Sequence, residues 1–375
     1  MAELRCGSCG ASPAGLAPWE CPSCGSPLEL ELPPADPATF AEGPEGVWRY
    51  RGWLPAVDRV TLGEPRTALV ELPNDGRTVF AKVEGALPTG SFKDRGTAVT
   101  VSWLRARGVR EIVVDSSGNA GASFAAYAAR AGLRLRVFVP ADASPAKLLQ
   151  IRAHGATVIA VPGPRAAAGD AAREALANAG PEVAYASHLW QASFLAGTAT
   201  FAYEVFEQLG NRAPDAIVAP LGGGTLLVGA HIGFGRLRSA GLIDSVPRLI
   251  GVQSNACAPL ARAFRTGEPD AVAAEPAPTI AEGIRIARPP RSRQILAAIR
   301  ETSGEIVEVA DDEIGQSLRS LFGYGLFVEP TSAVAHAGLA LIGGRDETIV
   351  VALTAHGLKA AGPIRDLLDA PVAPR

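Results

Sequence analysis

Lysine is nearly missing from this chain. Among 35 basic residues in 375, the lysines are Lys82, Lys93, Lys147 and Lys359 alone. Arginine serves wherever a surface cation is enough, so each lysine invites the question of what arginine could not do there. One such task is Schiff-base formation, which needs an amine able to lose its proton. A strong charge of one sign is missing too. The formal balance of -3 excludes the basic footprint of a nucleic-acid binder and gives no attraction to an anionic membrane. No apolar run approaches the ~20 residues of a membrane span, and no basic stretch followed by an apolar segment opens the chain. The expectation is a cytoplasmic protein. What is present, 47% apolar and 19% charged residues, suits a globular protein with material for two or three domains at roughly one per ~150 residues.

Residues 1–35 form a segment of their own. Cys6-Gly7-Ser8-Cys9 and Cys21-Pro22-Ser23-Cys24 are two C-x-x-C pairs, each followed by glycine, at Gly10 and Gly25. Two such knuckles joined by a hairpin put four thiolates around one point, the tetrahedral demand of structural zinc. Four ligands leave no open position, so the expected role is structural. A pair of disulfides is disfavoured in a cytosolic chain. Cys257 reads as a buried apolar residue.

After Pro33-Pro34, residues 47–84 read as strand and edge structure, with Asn74-Asp75-Gly76 as a hairpin turn. The stretch Pro88-Thr89-Gly90-Ser91-Phe92-Lys93-Asp94-Arg95-Gly96 follows. Residues 97–107 have helical spacing, which places Lys93 just ahead of a helix. Strands and helices then alternate. Strands are expected at 111–115, 135–140, 156–161, 183–187, 216–220, 249–253 and 348–354. An alanine-rich helix is expected to follow the loop 116–121 and to end near Gly132, with further helices at 144–154, 166–179 and 194–209. Strands separated by 10 to 15 helical residues predict open parallel sheets with helices on both faces. The fold class is α/β, with two such units and a ligand cleft between them. The division read from the sequence is 1–35, then 36–96 with 210–375, and 97–209.

Three loops share a design suited to anions and polar ligands. Ser116-Ser117-Gly118-Asn119-Ala120-Gly121 and Leu221-Gly222-Gly223-Gly224-Thr225 each follow a strand and open a helix, where backbone N–H groups and the helix dipole favour negative charge. Glycine lets the backbone approach a phosphate closely. Thr354-Ala355-His356-Gly357 ends the last strand with a hydroxyl. A triple glycine after a strand is often only a tight turn, so the order of these loops behind the lysine loop carries more weight than any one of them.

The strings PTGSFKDRG, SSGNAGAS, FVEPTSA at 327–333 and LTAHGLK at 353–359 resemble the fold-type II pyridoxal-phosphate enzymes, which include threonine synthase, threonine dehydratase and cysteine synthase. The similarity runs from about Trp48 to the C-terminus. The lysine loop is nearest to that of the threonine synthases, some of which also carry a cysteine ribbon. The GGGT loop is closer to the dehydratase type.

The resemblance implies that Lys93 carries the cofactor as a Schiff base and later shuttles protons. It implies that Asn119 donates to the ring 3'-oxygen and that Gly222, Gly223, Gly224 and Thr225 wrap the cofactor phosphate. Thr354 would meet the ring nitrogen, a neutral hydroxyl favouring elimination and replacement over transamination. Ser116 and Ser117 would hold the substrate carboxylate. A second anion site, for a substrate phosphate, draws on Thr89, Ser91, Arg95 and Lys359, although each also reads as turn former, cap or solvated cation. His188, His336 and His356 have no assigned role.

The implied activity is conversion of O-phosphohomoserine and water to threonine and phosphate by γ-elimination and β-addition. The alternatives are dehydratase-type α,β-elimination, another β-replacement synthesis, or a non-catalytic protein that keeps the fold. A homodimer acting on a small amino acid is the family expectation, with pyridoxal 5'-phosphate as cofactor.

Overall fold

The structure, a computed structural model, describes residues 3–73, 76–163, 165–344 and 346–369. In chain order its strands are β1 (Leu4–Cys6), β2 (Leu28–Leu30), β3 (Ala68–Leu72), β4 (Thr78–Val83), β5 (Glu111–Val114), β6 (Arg134–Pro140), β7 (Thr157–Val161), β8 (Val183–Tyr185), β9 (Ala216–Pro220), β10 (Arg248–Ser254), β11 (Glu305–Val309) and β12 (Thr348–Leu353). The helices that matter most for the site are α1 (Lys93–Ala106), α2 (Asn119–Ala131), α3 (Pro145–Ala153), α4 (Arg165–Ala177), α5 (Ala192–Thr198), α6 (Thr200–Gln208) and α7 (Thr225–Ser239). The chain forms two compact units.

One unit comprises the residues up to 66, 87–204 and 232–242. Its parallel sheet has the order β7-β6-β5-β8. The order reverses between β5 and β8, so the loops at their carboxyl ends flank a switch point, where open α/β sheets place ligands. The sequence division puts residues 36–66 and 87–96 elsewhere; in the structure they pack in this unit. The antiparallel pair β1–β2 also joins it, with Leu4, Cys6, Cys21 and Leu28 buried in the same core as Val99, Trp103 and Phe124.

Residues 47–53 are not a strand. They form two short 3-10 turns within Val47–Trp53, joined by a kink at Tyr50, and bury Val47, Trp48, Tyr50 and Trp53. Phe40, Trp53 and Tyr203 pack edge to face there, and Tyr50 packs tilted against Phe40 and Tyr203, with ring centroids 4.8–5.7 Å apart. The helix expected at 194–209 is two helices, α5 and α6. Thr198 and Thr200 hydroxyls donate back to the carbonyls of Phe194 and Gly197 at the break, competing with the backbone ladder.

The other unit comprises 67–86, 205–231 and the residues from 243 onward. Its sheet has the order β11-β10-β9-β12-β4-β3, parallel except for β3, which pairs antiparallel with β4 at the edge. The strands flanking the expected hairpin are therefore paired, while Asn74 and Asp75 lie outside the described residues. β9 and β12 read as near-continuous apolar runs because both faces are covered. Strand order reverses between them as well.

No helix among the described residues is long and apolar enough to cross a membrane.

Candidate functional site

Lys93 is the first residue of α1, four residues earlier than helical spacing alone suggests. Gly90, with φ +84°, turns the chain sharply ahead of it. Asp94 then ties the turn to the helix. Its carboxylate accepts from Thr89 N at 2.7 Å, from Thr89 Oγ1 at 2.6 Å and from Ser123 Oγ of α2 at 2.6 Å. Burial pushes Asp94 up to about 6, against the downward pull of these donors, and nearby Glu64 adds to the rise.

The next residue, Arg95, is buried in an ion pair with Glu204 at 2.9 Å and donates to Thr200 Oγ1. Its charge is spent on structure, not on a substrate anion. Gly96 is required by close packing, since a Cβ there would lie 2.6 Å from ring atoms of Phe194 on α5. That ring and the ring of Phe92 lie 5.9 and 4.2 Å from Lys93 Nζ, so the amine sits against aromatic faces.

The loop after β5 carries Ser116, Ser117 and Asn119 into α2. It is drawn tight at Gly121, whose Cβ would fall 1.9 Å from the Ser116 carbonyl oxygen. Asn119 opens α2, and Gly118 N of that loop donates to Ser116 Oγ at 3.4 Å, at a helix start where the dipole favours negative charge. The Asp94–Ser123 bond joins this helix to the lysine loop. The structure thus brings Lys93, Ser116, Ser117 and Asn119 together on neighbouring elements of one unit.

Across the same switch point, the turn after β8 adds Ser187 and His188, which the sequence reading left without a role. Gln191 holds that turn through Nε2 to the Tyr185 carbonyl at 2.6 Å. Ser187 Oγ, His188 Nδ1 and Ser91 Oγ are buried with no hydrogen-bond partner among the described residues. Burial holds His188 well below the ordinary imidazole range, and the charge of Lys93 adds to this, followed by that of Arg165. A neutral imidazole therefore faces the lysine. The signal in the sequence was position: His188 follows the carboxyl end of a parallel strand. His336 and His356 are different. Their Nδ1 atoms meet Ser317 Oγ at 2.7 Å and Leu358 N at 3.2 Å, as structural histidines do.

In the other unit, Gly222–Thr225 follows β9 and Thr354 follows β12, hydrogen-bonded neighbours in the sheet. A Cβ on Gly222 would lie 2.8 Å from Ile284 Cα. One on Gly224, at φ +69°, would lie 2.4 Å from Ile295 Cδ1. Gly222 is therefore held to glycine by the approach of backbone, and Gly224 by its left-handed φ. The loop ends at the N-terminus of α7, opened by Thr225, where an anion is favoured. Thr354 Oγ1 is buried beside Ser332 Oγ at 3.1 Å, and Ser332 Oγ also accepts from Ala355 N at 3.0 Å. Ser332, within the FVEPTSA string, is the residue that orients Thr354, and the sequence reading gave it no role. Lys359 closes a 3-10 turn, Gly357–Ala360, near the same strand end.

Each unit carries features that fit pyridoxal phosphate: one an amine against aromatic faces, the other a glycine cradle at a helix start and a buried hydroxyl fixed by a second one. A family model described as "Pyridoxal-phosphate dependent enzyme" matches residues 60–355. The chain belongs to that family. Among curated pyridoxal-phosphate enzymes it is 36% identical to the threonine synthase of Methanocaldococcus jannaschii, over 84% of this chain and 80% of that one. It is 32% identical to the threonine synthase of Methanosarcina acetivorans, over 99% and 95%. The solved L-serine ammonia-lyase of Rhizomucor miehei has the same fold, with a TM-score of 0.71 at 22% identity over 84% of this chain and all of that one.

The four cysteines of the ribbon also converge. Their sulfurs lie within 4.8 Å of one another, a cluster able to hold a metal ion. Cys24 is pulled down to about 6, chiefly by Ser26, so a thiolate is available there. Cys257 is buried elsewhere and is pushed up by burial.

Proposed function

We propose that the chain is a pyridoxal-phosphate-dependent threonine synthase, a lyase converting O-phosphohomoserine and water to threonine and phosphate. The observation that carries this reading is identity of 32–36% to curated threonine synthases from two archaea, covering 80–95% of their length.

Bound pyridoxal phosphate supplies an electron sink that makes protons on the substrate's carbons acidic. Lys93 anchors it through its amine and, once released, takes and returns protons at Cα and Cβ, a task for a base on a flexible stem. Asn119 would hold the cofactor's 3'-oxygen. The backbone of Gly222, Gly223 and Gly224 with Thr225 would hold its phosphate at the start of α7. Thr354, held by Ser332, would meet the ring nitrogen. Ser116 and Ser117 would receive the substrate carboxylate. Ser91, with its buried free hydroxyl, serves the distal phosphate, and Thr89 shapes that loop through Asp94. We further infer zinc on Cys6, Cys9, Cys21 and Cys24, a homodimer, and a cytoplasmic location.

A second reading, α,β-elimination from serine or threonine, is favoured by the commitment of Arg95 to Glu204, which removes one cation from the substrate phosphate. Purified holoenzyme given O-phosphohomoserine is expected to release threonine and phosphate in equal amounts. Keto acid from threonine, with no phosphate released from O-phosphohomoserine, overturns the first reading in favour of the second.

A further inference from the structure

We propose that Asp94, as a carboxylate, is the positioning residue of this enzyme: it clamps the loop that carries Lys93, and cofactor retention and turnover depend on its negative charge. The inference rests on Lys93 as the cofactor-binding lysine.

The argument is geometric. Three donors converge on one buried carboxylate, two from Thr89 and one from Ser123, at 2.6–2.7 Å. Thr89 precedes the Gly90 turn, Asp94 follows Lys93, and Ser123 lies in the first turns of α2 behind the Ser116–Asn119 loop. One side chain thus fixes both ends of the lysine turn and ties it to the neighbouring loop. A carboxylate is not needed to fill the space, since an amide has the same shape and could exchange bonds with the same hydroxyls. It also costs folding free energy to ionise a fully buried acid. What the charge adds is strength: hydrogen bonds to an ionised acceptor are roughly twice as strong as neutral ones. The chain keeps the charge at the one acid that abuts Lys93.

The titratable groups that act on Asp94 or feel it are Glu64 and Tyr127 of α2, with Lys93 and Arg95 its neighbours in the chain. Tyr127 donates to Glu64 Oε1 at 2.6 Å and is raised far above the ordinary phenol range by burial, so it stays protonated. Glu64 raises Asp94, and Ser123 and Thr89 lower it, about a value near 6. Protonation at mildly acid pH exchanges three charge-assisted bonds for neutral ones and loosens the lysine loop.

The test follows kcat/KM and the rate of loss of the visible cofactor absorbance on dilution of holoenzyme, between pH 5 and 8. Wild type is expected to show an acid limb centred near pH 6 in both. Asp94→Asn, which imitates the protonated state, is expected to lose the limb and to behave at every pH as wild type does at acid pH. Asp94→Ala, which removes the clamp, is expected to lose cofactor about tenfold faster or more. Ser123→Ala withdraws a donor and moves the limb to higher pH; Glu64→Gln withdraws a like charge and moves it lower. A limb that persists in Asp94→Asn, or that moves in neither of the other variants, overturns the proposal. Borohydride treatment of each holoenzyme, followed by mass analysis of the peptide holding residue 93, separates the two ideas. Cofactor fixed on Lys93 with an unchanged pH profile refutes the clamp alone, whereas no cofactor there refutes the reading beneath it.

Discussion

Substituting Gly224 by alanine tests the assignment of the glycine loop with a cost that can be built from two parts. At φ +69° an L-residue pays the left-handed penalty, about 1–2 kcal/mol. The new Cβ would also lie 2.4 Å from Ile295 Cδ1 and 2.5 Å from its Cγ1, and overpacking of this kind costs about 1–3 kcal/mol. Together these give about 2–5 kcal/mol of lost stability, read as a drop in the urea midpoint of the holoenzyme. Because the strain falls on the backbone that would meet the cofactor phosphate, affinity measured by absorbance titration is expected to fall about tenfold or more. Ile295→Ala removes the clashing atoms but not the φ strain. The double variant should therefore be less destabilised than the sum of the single ones, with a coupling of about 1–3 kcal/mol. If Gly224→Ala loses stability at unchanged cofactor affinity, the loop is a turn and not a phosphate cradle. If neither changes, the packing argument itself is wrong.

Three further outcomes are expected. Glu204→Gln leaves the buried Arg95 guanidinium without its counter-charge, at a cost of about 3–5 kcal/mol seen as a lower denaturation midpoint; an unchanged midpoint would refute the pairing. Metal analysis should find about one zinc per chain, set by the tetrahedral four-thiolate site. Chelation should lower thermal stability and change the fluorescence of Trp19, which lies between the knuckles and packs edge to face on Tyr185 and Trp190 at 5.0 and 4.9 Å; a metal-free protein with the same stability refutes this. Since Asp94 is raised from 3.8 to about 6, its contribution to folding is fully present below pH ~4 and lost as pH rises through about 6, so in the cofactor-free protein, where weaker cofactor retention does not enter, Asp94→Asn should raise stability at pH 7.5 by up to about 3 kcal/mol, read as a higher melting temperature. Equal pH dependence of melting in variant and wild type would contradict it.

The sheets were legible because parallel strands covered on both faces are written as apolar runs, as in 216–220 and 348–353, punctuated by glycine. The strand Glu305–Val309 escaped the reading because two glutamates interrupt its short apolar run and it lies half-buried at a sheet edge. The turns at 47–53 were misread because aromatic residues favour strands by propensity, while their conformation was decided by packing on Phe40 and Tyr203. Among site residues, Lys93, Asn119 and the glycine loop could be named from motif and resemblance, as local features of single loops. The partners that orient them could not. Ser123 reaches Asp94 across 29 residues and Ser332 reaches Thr354 across 22, distances that only the folded chain closes.

Those orienting contacts explain where this chain breaks the usual rules of burial. A carboxylate at 0% exposure, an ion pair at 0% and 1%, and a neutral histidine at 8% all gather around the first turn of α1. Each costs folding free energy that an apolar side chain of similar size would not. Buried charged side chains occur elsewhere too, at Lys82, Glu84, Arg291 and Glu329, but this group lies on the residues either side of Lys93 and on their partners. Arg95 fixes α1 to the chain at Glu204, Asp94 fixes the turn ahead of it, and His188 keeps a second charge away from the amine. Local rules fail together where function imposes a geometry. The lysine that stood out by scarcity thus also sits among buried polar groups whose cost calls for a role beyond stability.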